Sequence, residues 1–66
     1  MKAKKRFLIY QNHQFVKDYA YLGDARNAIS VLRVDNNHCD FCIYDSLTHK
    51  VVYEYDSKLN RIRRYA

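Results

Sequence analysis

Proline is absent from this 66-residue chain, and Gly23 is its only glycine. Flexible linkers are rich in such residues, so the sequence predicts one small domain over residues 1–66, with a basic arm at 1–5 that can be disordered. A chain this short buries only about 60% of the surface that its unfolded form exposes. Because deep catalytic pockets need more chain than that, we expect a protein that is not an enzyme.

Cysteines and long apolar runs are scarce as well. Two cysteines are too few for a secreted scaffold held by disulfides. The apolar run that follows the basic N-terminus, residues 7–10, is shorter than the core of a signal peptide (about 7–15 residues) or a membrane span (about 18 or more). The sequence therefore predicts a cytoplasmic protein with reduced thiols and no membrane span.

Patterns that carry chemistry are also missing. The chain has no glycine-rich phosphate loop, and its seven carboxylates follow no spacing that would oppose two of them. None of its three histidines is paired by pattern with a nucleophile. We therefore predict no catalytic residue and no cofactor.

The two cysteines form a CxxC motif, Cys39 to Cys42, which can hold half a zinc site or act as a redox dithiol. If residues 39–44 form a strand, side chains three apart project from opposite faces and cannot converge on a metal. A redox CxxC normally opens a helix, and no helix is expected here. We predict two strand side chains and no metal site, with zinc or redox chemistry as the weaker alternatives.

What the sequence does have is positive charge concentrated at its ends. Eight of the twelve Lys and Arg residues lie in two terminal runs, whereas residues 7–57 carry four basic and seven acidic side chains. The N-terminal run is Lys2, Lys4, Lys5 and Arg6, and the C-terminal run is Lys58, Arg61, Arg63 and Arg64. Clustered charge attracts anions, whereas scattered charge mainly aids solubility.

Alternating apolar residues predict strands over residues 5–10, 15–21, 39–45 and 50–55. Asn12-His13 fits the two-residue turn of a hairpin. A change of period predicts a helix over 24–33, whose apolar stripe is Ala25, Ala28, Ile29 and Leu32. These elements predict an α+β domain of ββαββ(β) order, with a mostly antiparallel sheet of four to five strands and the helix on one face.

The last ten residues fit either a fifth strand or a short helix capped by Ser57, and we favour the strand. Residues 53–63 resemble one unit of the tyrosine–aspartate repeats of large β-rich toxin shells, although the glycine of that repeat is missing. The resemblance implies a hairpin here and carries no functional expectation.

The chain also has seven tyrosines. If the helix covers one face of the sheet, alternation leaves the opposite face, called here the open face, to Leu8, Tyr10, Cys42 and Tyr44. Aromatic side chains on a sheet beside basic segments can stack nucleic-acid bases. Tyrosine is also a good strand former, and an apolar open face often serves as a dimer interface.

These observations favour a non-catalytic module that binds DNA or RNA through its basic termini. Arginine suits bidentate phosphate contacts, and the two terminal runs merge into one patch if the first and last strands are neighbours. The predicted phosphate contacts are Lys2, Lys4, Lys5, Arg6, Arg61, Arg63 and Arg64, with Tyr10 and Tyr44 as stacking groups. Solvated tails are the plainer interpretation of the same charges.

The alternative is a protein-interaction module. It would self-associate through the open face, or it would be a small inhibitor of a larger host protein, in the style of the short accessory proteins of phages and mobile elements. Exposed sheet edges and aromatic residues serve both versions.

Overall fold

The computed structural model describes residues 4–65, so Lys2 of the N-terminal run lies outside the described residues. It contains five strands and one helix: β1 (Phe7–Gln11), β2 (Gln14–Tyr19), α1 (Leu22–Asp35), β3 (Phe41–Asp45), β4 (Lys50–Asp56) and β5 (Arg61–Arg64). The strands form one antiparallel sheet in the order β2-β1-β3-β4-β5. The predicted α+β class is therefore confirmed, and the last residues form a strand rather than a helix.

The helix α1 begins two residues before the predicted range and ends two residues after it. Its apolar stripe faces the sheet: Ala25 and Ile29 are buried, and Ala28 and Leu32 pack against the same core. The helix ends at Asn36, whose φ of −129° and ψ of 42° are not helical. Its backbone N–H and its side-chain amide both donate to the Leu32 carbonyl, at 3.1 and 3.0 Å, and so satisfy a carbonyl of the last turn.

The core lies between α1 and the sheet face that alternation predicts. Ile9, Ile29 and Ile43 are fully buried at its centre. Phe7 and Phe41 extend the core along β1 and β3, which pair directly. Because the domain is so small, these few side chains supply most of its hydrophobic stabilisation.

Four residues other than glycine hold the tight turns in a left-handed conformation. Asn12 and His13 have φ values of 50° and 69°, as a two-residue hairpin turn requires. His49 and Asn60 have φ values of 59° and 49° and end the loops before β4 and β5. A chain with almost no glycine thus makes its turns with asparagine and histidine, which tolerate this geometry better than most residues.

The helix covers only part of the sheet. It lies over β1, β2 and β3, and it makes no comparable backbone approach to β4 or β5. Every residue of β5 is therefore exposed, whereas Tyr53 and Tyr55 on the helix side of β4 are buried in the core.

Hydrogen bonds between the segment before β3 and the turn before β5 hold β5 in place. One carboxylate oxygen of Asp40 accepts from the N–H and the hydroxyl of Ser57, at 2.8 and 2.7 Å. These bonds lower the pKa of Asp40 below its usual range. The Tyr55 hydroxyl lies 3.1 Å from the side-chain oxygen of Asn60, and the Arg33 guanidinium stacks 3.9 Å from the centre of the Tyr55 ring. The turn before β5 is thus bonded to Asp40, which precedes β3, and to Tyr55 of β4, against which Arg33 of α1 packs.

We predict that Ile29→Ala destabilises the protein by about 2–5 kcal/mol, because it leaves a cavity at the centre of the core. A domain below about 70 residues rarely has more than about 3–5 kcal/mol to lose, so much of the variant should be unfolded. Val31→Ala, on the exposed side of the same helix (Val31 is 70% exposed), should change stability by less than about 0.5 kcal/mol. Urea denaturation followed by circular dichroism measures both, and equal effects would contradict this description of the core.

Candidate functional site

The three arginines of β5 point to two different sides of the sheet. Pairing with β4 sets Arg61 opposite Asp56 and Arg63 opposite Glu54 on the open face. Arg64 pairs with Tyr53, whose side chain is in the core, so Arg64 lies on the helix side. β5 therefore presents cationic side chains on both faces of one sheet edge.

Tyr65 continues the row of side chains on the open face. Its hydroxyl donates to Glu54 at 2.9 Å, and its ring is 55% exposed. An exposed aromatic ring thus lies next to Arg63 along the chain, at the same sheet edge as the arginines.

Arg6 is engaged in a structural ion pair. Its Nε and one terminal nitrogen donate to the two carboxylate oxygens of Asp45, each at 2.8 Å, in a bidentate arrangement. The Asp45 side chain is 5% exposed, so the pair closes one end of the sheet between β1 and β3. Among residues 4–65, this is the one ion pair shorter than 4.0 Å. Arg6 can contact a phosphate only through the part of its guanidinium that Asp45 leaves free.

The environment of Asp45 strongly favours its charged form. The hydrogen bonds from Arg6 hold the pKa of Asp45 well below its usual range, and the N–H of Leu47 adds a further bond at 2.9 Å. Asp45 thereby begins the turn that leads to β4. The partner of Asp45 is 39 residues away along the chain, so no local pattern indicates it.

The first and last strands are not neighbours, because β3 and β4 lie between them. Three strand spacings separate β1 from β5 by about 14 Å. The N-terminal run precedes β1 at one end of the sheet, whereas the C-terminal run begins at the opposite end, where Arg61 lies opposite Asp56, and extends along β5. β1 begins where β3 ends, at the pair Phe7–Asp45, and beyond β5 the Tyr65 N–H donates to the Val52 carbonyl near the start of β4. The condition for one merged patch therefore fails, and among the described residues it is Tyr65 and the end of β5 that approach the end of the sheet where the N-terminal run lies.

Lys4 and Lys5 are exposed and precede β1 without regular secondary structure. Tyr10 and Tyr44 lie on adjacent strands of the open face, as alternation predicts, and both are half-buried. Tyr10 packs edge-on against Phe15 with ring centres 5.9 Å apart, and the Tyr44 hydroxyl is hydrogen-bonded to Nδ1 of His49 at 3.1 Å. Their role as stacking groups stays a prediction.

Carboxylates surround the tyrosine side of the open face. A shallow depression beside Tyr10 is lined by three acidic residues, Asp40, Glu54 and Asp56. The lining contains no lysine or arginine, and its one histidine is His13. Acidic side chains repel phosphates, so the electrostatics of this depression oppose a polynucleotide.

The two cysteine side chains diverge. Cys39 is buried in the core, where its sulfur accepts a hydrogen bond from the Gln11 amide at 3.3 Å, whereas Cys42 lies on the open face. Burial, followed by the nearby Glu54 carboxylate, raises the pKa of the Cys42 thiol. Within residues 4–65, no three His, Cys, Asp or Glu side chains are grouped to hold a metal.

Arg26 is the residue near the C-terminal run that sequence reasoning missed. It lies on α1 outside the apolar stripe, and it lines the same groove as Arg64. Its position follows from the crossover of the helix over the sheet, which spacing along the chain does not indicate.

Comparisons with known proteins add no assignment: no family model, no curated protein sequence and no solved structure matches the chain. In the part of the chain that the structure describes, no helix combines the length and the apolar character needed to cross a bilayer.

We predict that Asp45→Asn removes an acid-sensitive part of the stability. The pKa of Asp45 is lower in the folded than in the unfolded protein, where it is about 3.9, so its contribution is present above that pH and is lost as the pH falls below it. The difference between wild type and Asp45→Asn in urea denaturation should therefore be large at pH 7 and shrink toward pH 2.

Asp35→Asn, which removes the same charge from an exposed position on α1, provides the matched control. Asp40 loses its own contribution in the same acidic range, but it is present in all three proteins and cancels from the comparison. An Asp45→Asn deficit that is the same at pH 7 and pH 2 would contradict the role given to this ion pair.

Proposed function

We propose that this protein binds nucleic acid without catalysing a reaction, and that β5 supplies the main phosphate contacts. The observation that carries the proposal is that the three β5 arginines are exposed and, within residues 4–65, unpaired. None of them is within 4.0 Å of a carboxylate of any described residue. A fully charged, unpaired guanidinium is suited to bidentate contact with a phosphate.

Two other arginines differ from those of β5 because they have contacts within the fold. Arg6 is held by a buried carboxylate and Arg33 is stacked on a buried ring, so both are used by the fold. The fold does not use Arg61, Arg63 and Arg64 in this way. Charged side chains on an edge strand also prevent it from pairing with another sheet. This protection alone would explain one or two of the three arginines on β5.

The lysines of the N-terminal run extend the proposed surface around one end of the sheet. Lys4 and Lys5 are exposed there, and Tyr65 after β5 approaches the same end through its hydrogen bond to Val52. A strand of DNA or RNA that follows β5 and turns across this end would meet both basic runs. Tyr65, exposed beside the arginines, is the stacking group that such a path reaches first, ahead of Tyr10 and Tyr44.

We predict that Arg61→Gln combined with Arg63→Gln weakens binding to a single-stranded oligonucleotide about tenfold. The slope of log affinity against log salt should fall by about 1.4, because each lost phosphate contact on a single strand contributes about 0.7. Fluorescence anisotropy between about 50 and 200 mM salt measures both quantities.

Lys17→Gln is the control, since it removes a charge from β2 at the opposite edge of the sheet, and the effects are compared per charge removed. Arg61→Lys combined with Arg63→Lys keeps the charge and should retain the salt slope while losing part of the affinity. If the wild-type protein fails to bind DNA and RNA at low salt, or if the control weakens binding as much as the arginine variant, the proposal is wrong.

A second function is favoured by the apolar part of the open face. Phe15 and Val51 are exposed there beside the half-buried Tyr10, Tyr44 and Cys42, within a rim of carboxylates. An apolar surface with a polar rim is typical of a protein interface. We propose self-association through this face as the alternative function.

If this face is a dimer interface, Val51→Lys should convert a dimer into a monomer, because the new charge lies opposite Tyr44 at the centre of the contact. Leu47→Lys, in the exposed loop before β4, should leave the dimer intact. Sedimentation velocity at low and high salt measures the outcome. A wild-type protein that stays monomeric at high micromolar concentration would exclude this interface.

A further inference from the structure

A groove runs between the first turns of α1 and the helix side of β4 and β5. It exists because the helix lies over the other strands of the sheet. Its volume is about 370 Å³, near the lower limit of small-molecule pockets, which is about 300 Å³. The lining residues are Gly23, Arg26, Asn27, Ser30, Tyr53, Ile62 and Arg64.

The charge of this groove is entirely positive. Arg26 on the helix and Arg64 on β5 line it from opposite sides, and no carboxylate is among the lining residues. Neither arginine has an ion-pair partner within 4.0 Å among residues 4–65. The depression on the open face has the reverse character, since three carboxylates line it. An anion that approaches this molecule is therefore attracted to the helix side of β5.

The groove also contains polar groups that can complete the coordination of an oxyanion. The Asn27 amide can donate to it, while the Ser30 hydroxyl already donates to the Arg26 carbonyl at 3.2 Å. Gly23 has no Cβ, and a Cβ placed there would meet nothing within 4 Å, so this side of the groove is open to an entering ligand.

Tyr53 adds a further polar group to the wall of the groove. It is 3% exposed, it lines the groove, and its hydroxyl has no hydrogen-bond partner among the described residues. The Tyr55 and Tyr65 hydroxyls, in contrast, both have such partners. The one buried side-chain polar atom without a partner among the described residues is Nε of Arg33. The Tyr53 hydroxyl is therefore accessible at the wall of the groove, where it can donate a hydrogen bond to an oxyanion.

We infer that this groove binds a phosphate group of the nucleic acid, with Arg26 and Arg64 as its two cationic contacts and the Tyr53 hydroxyl as a further donor. The inference rests on the proposed function and adds a defined site to it. Two guanidinium groups on opposite sides of one phosphate fix its position as well as attract it. The backbone of a bound strand would thus pass over the β5 edge, with Arg61 and Arg63 on one side and this groove on the other.

The test compares Arg26→Gln and Arg64→Gln with Lys17→Gln, which removes one charge from the opposite edge of the sheet. With an oligothymidylate as the probe, each groove variant should lose affinity about fivefold or more and lower the salt slope by about 0.7. Lys17→Gln should change affinity less than about twofold. Tyr53→Phe should weaken binding while leaving the urea midpoint unchanged, because it removes a hydroxyl that has no partner in the fold. Equal losses in Arg26→Gln, Arg64→Gln and Lys17→Gln would overturn the inference.

A second measurement separates this site from the proposed function. The Nε–Hε NMR signals of Arg26 and Arg64 should shift when inorganic phosphate is added, whereas that of Arg33, stacked on Tyr55, should not. If the oligonucleotide does not bind but these two signals shift, the proposed function fails and the groove is a site for free phosphate esters. If the oligonucleotide binds and neither signal responds to it or to phosphate, the groove inference is wrong and the proposed function stands.

Discussion

One helix is too narrow to cover a five-stranded sheet, and this mismatch determines where the surface of the protein is available. The axes of the outer strands are about 19 Å apart, whereas a helix with its side chains is about 10–12 Å wide. α1 lies over β1, β2 and β3, where Ala25 and Ile29 complete the core. β5 is consequently exposed on both faces. The groove beside Arg64 and the exposure of the β5 arginines both follow from the position of α1 over β1, β2 and β3.

The arginines divide into two groups according to what the fold requires of them. Arg6 compensates a buried carboxylate, and Arg33 covers the ring of Tyr55. Such groups are costly to remove because each leaves a buried partner exposed or unpaired. The arginines of β5 and Arg26 have no such partner among the described residues. Positive charge that the fold does not use is available for a partner, which is why the proposals concern this side of the molecule.

Local patterns predicted the elements of this protein well. The stripe of α1 and the Asn12-His13 turn are both encoded within a few residues of sequence. Strand order is different, because it depends on how α1 crosses the sheet. The pairing of Arg6 with Asp45 and the position of Arg26 beside Arg64 are contacts between distant parts of the chain, and no spacing rule anticipates them.

The most direct test of the account is a map of backbone amide NMR shifts when an oligothymidylate is added to the labelled protein. The account predicts that the largest changes fall on residues 61–65 and on the first two turns of α1, around Arg26, and that they diminish as salt is added. Changes confined to the open face around Tyr10 and Tyr44, with β5 unaffected, would contradict it. So would the absence of any change at low salt.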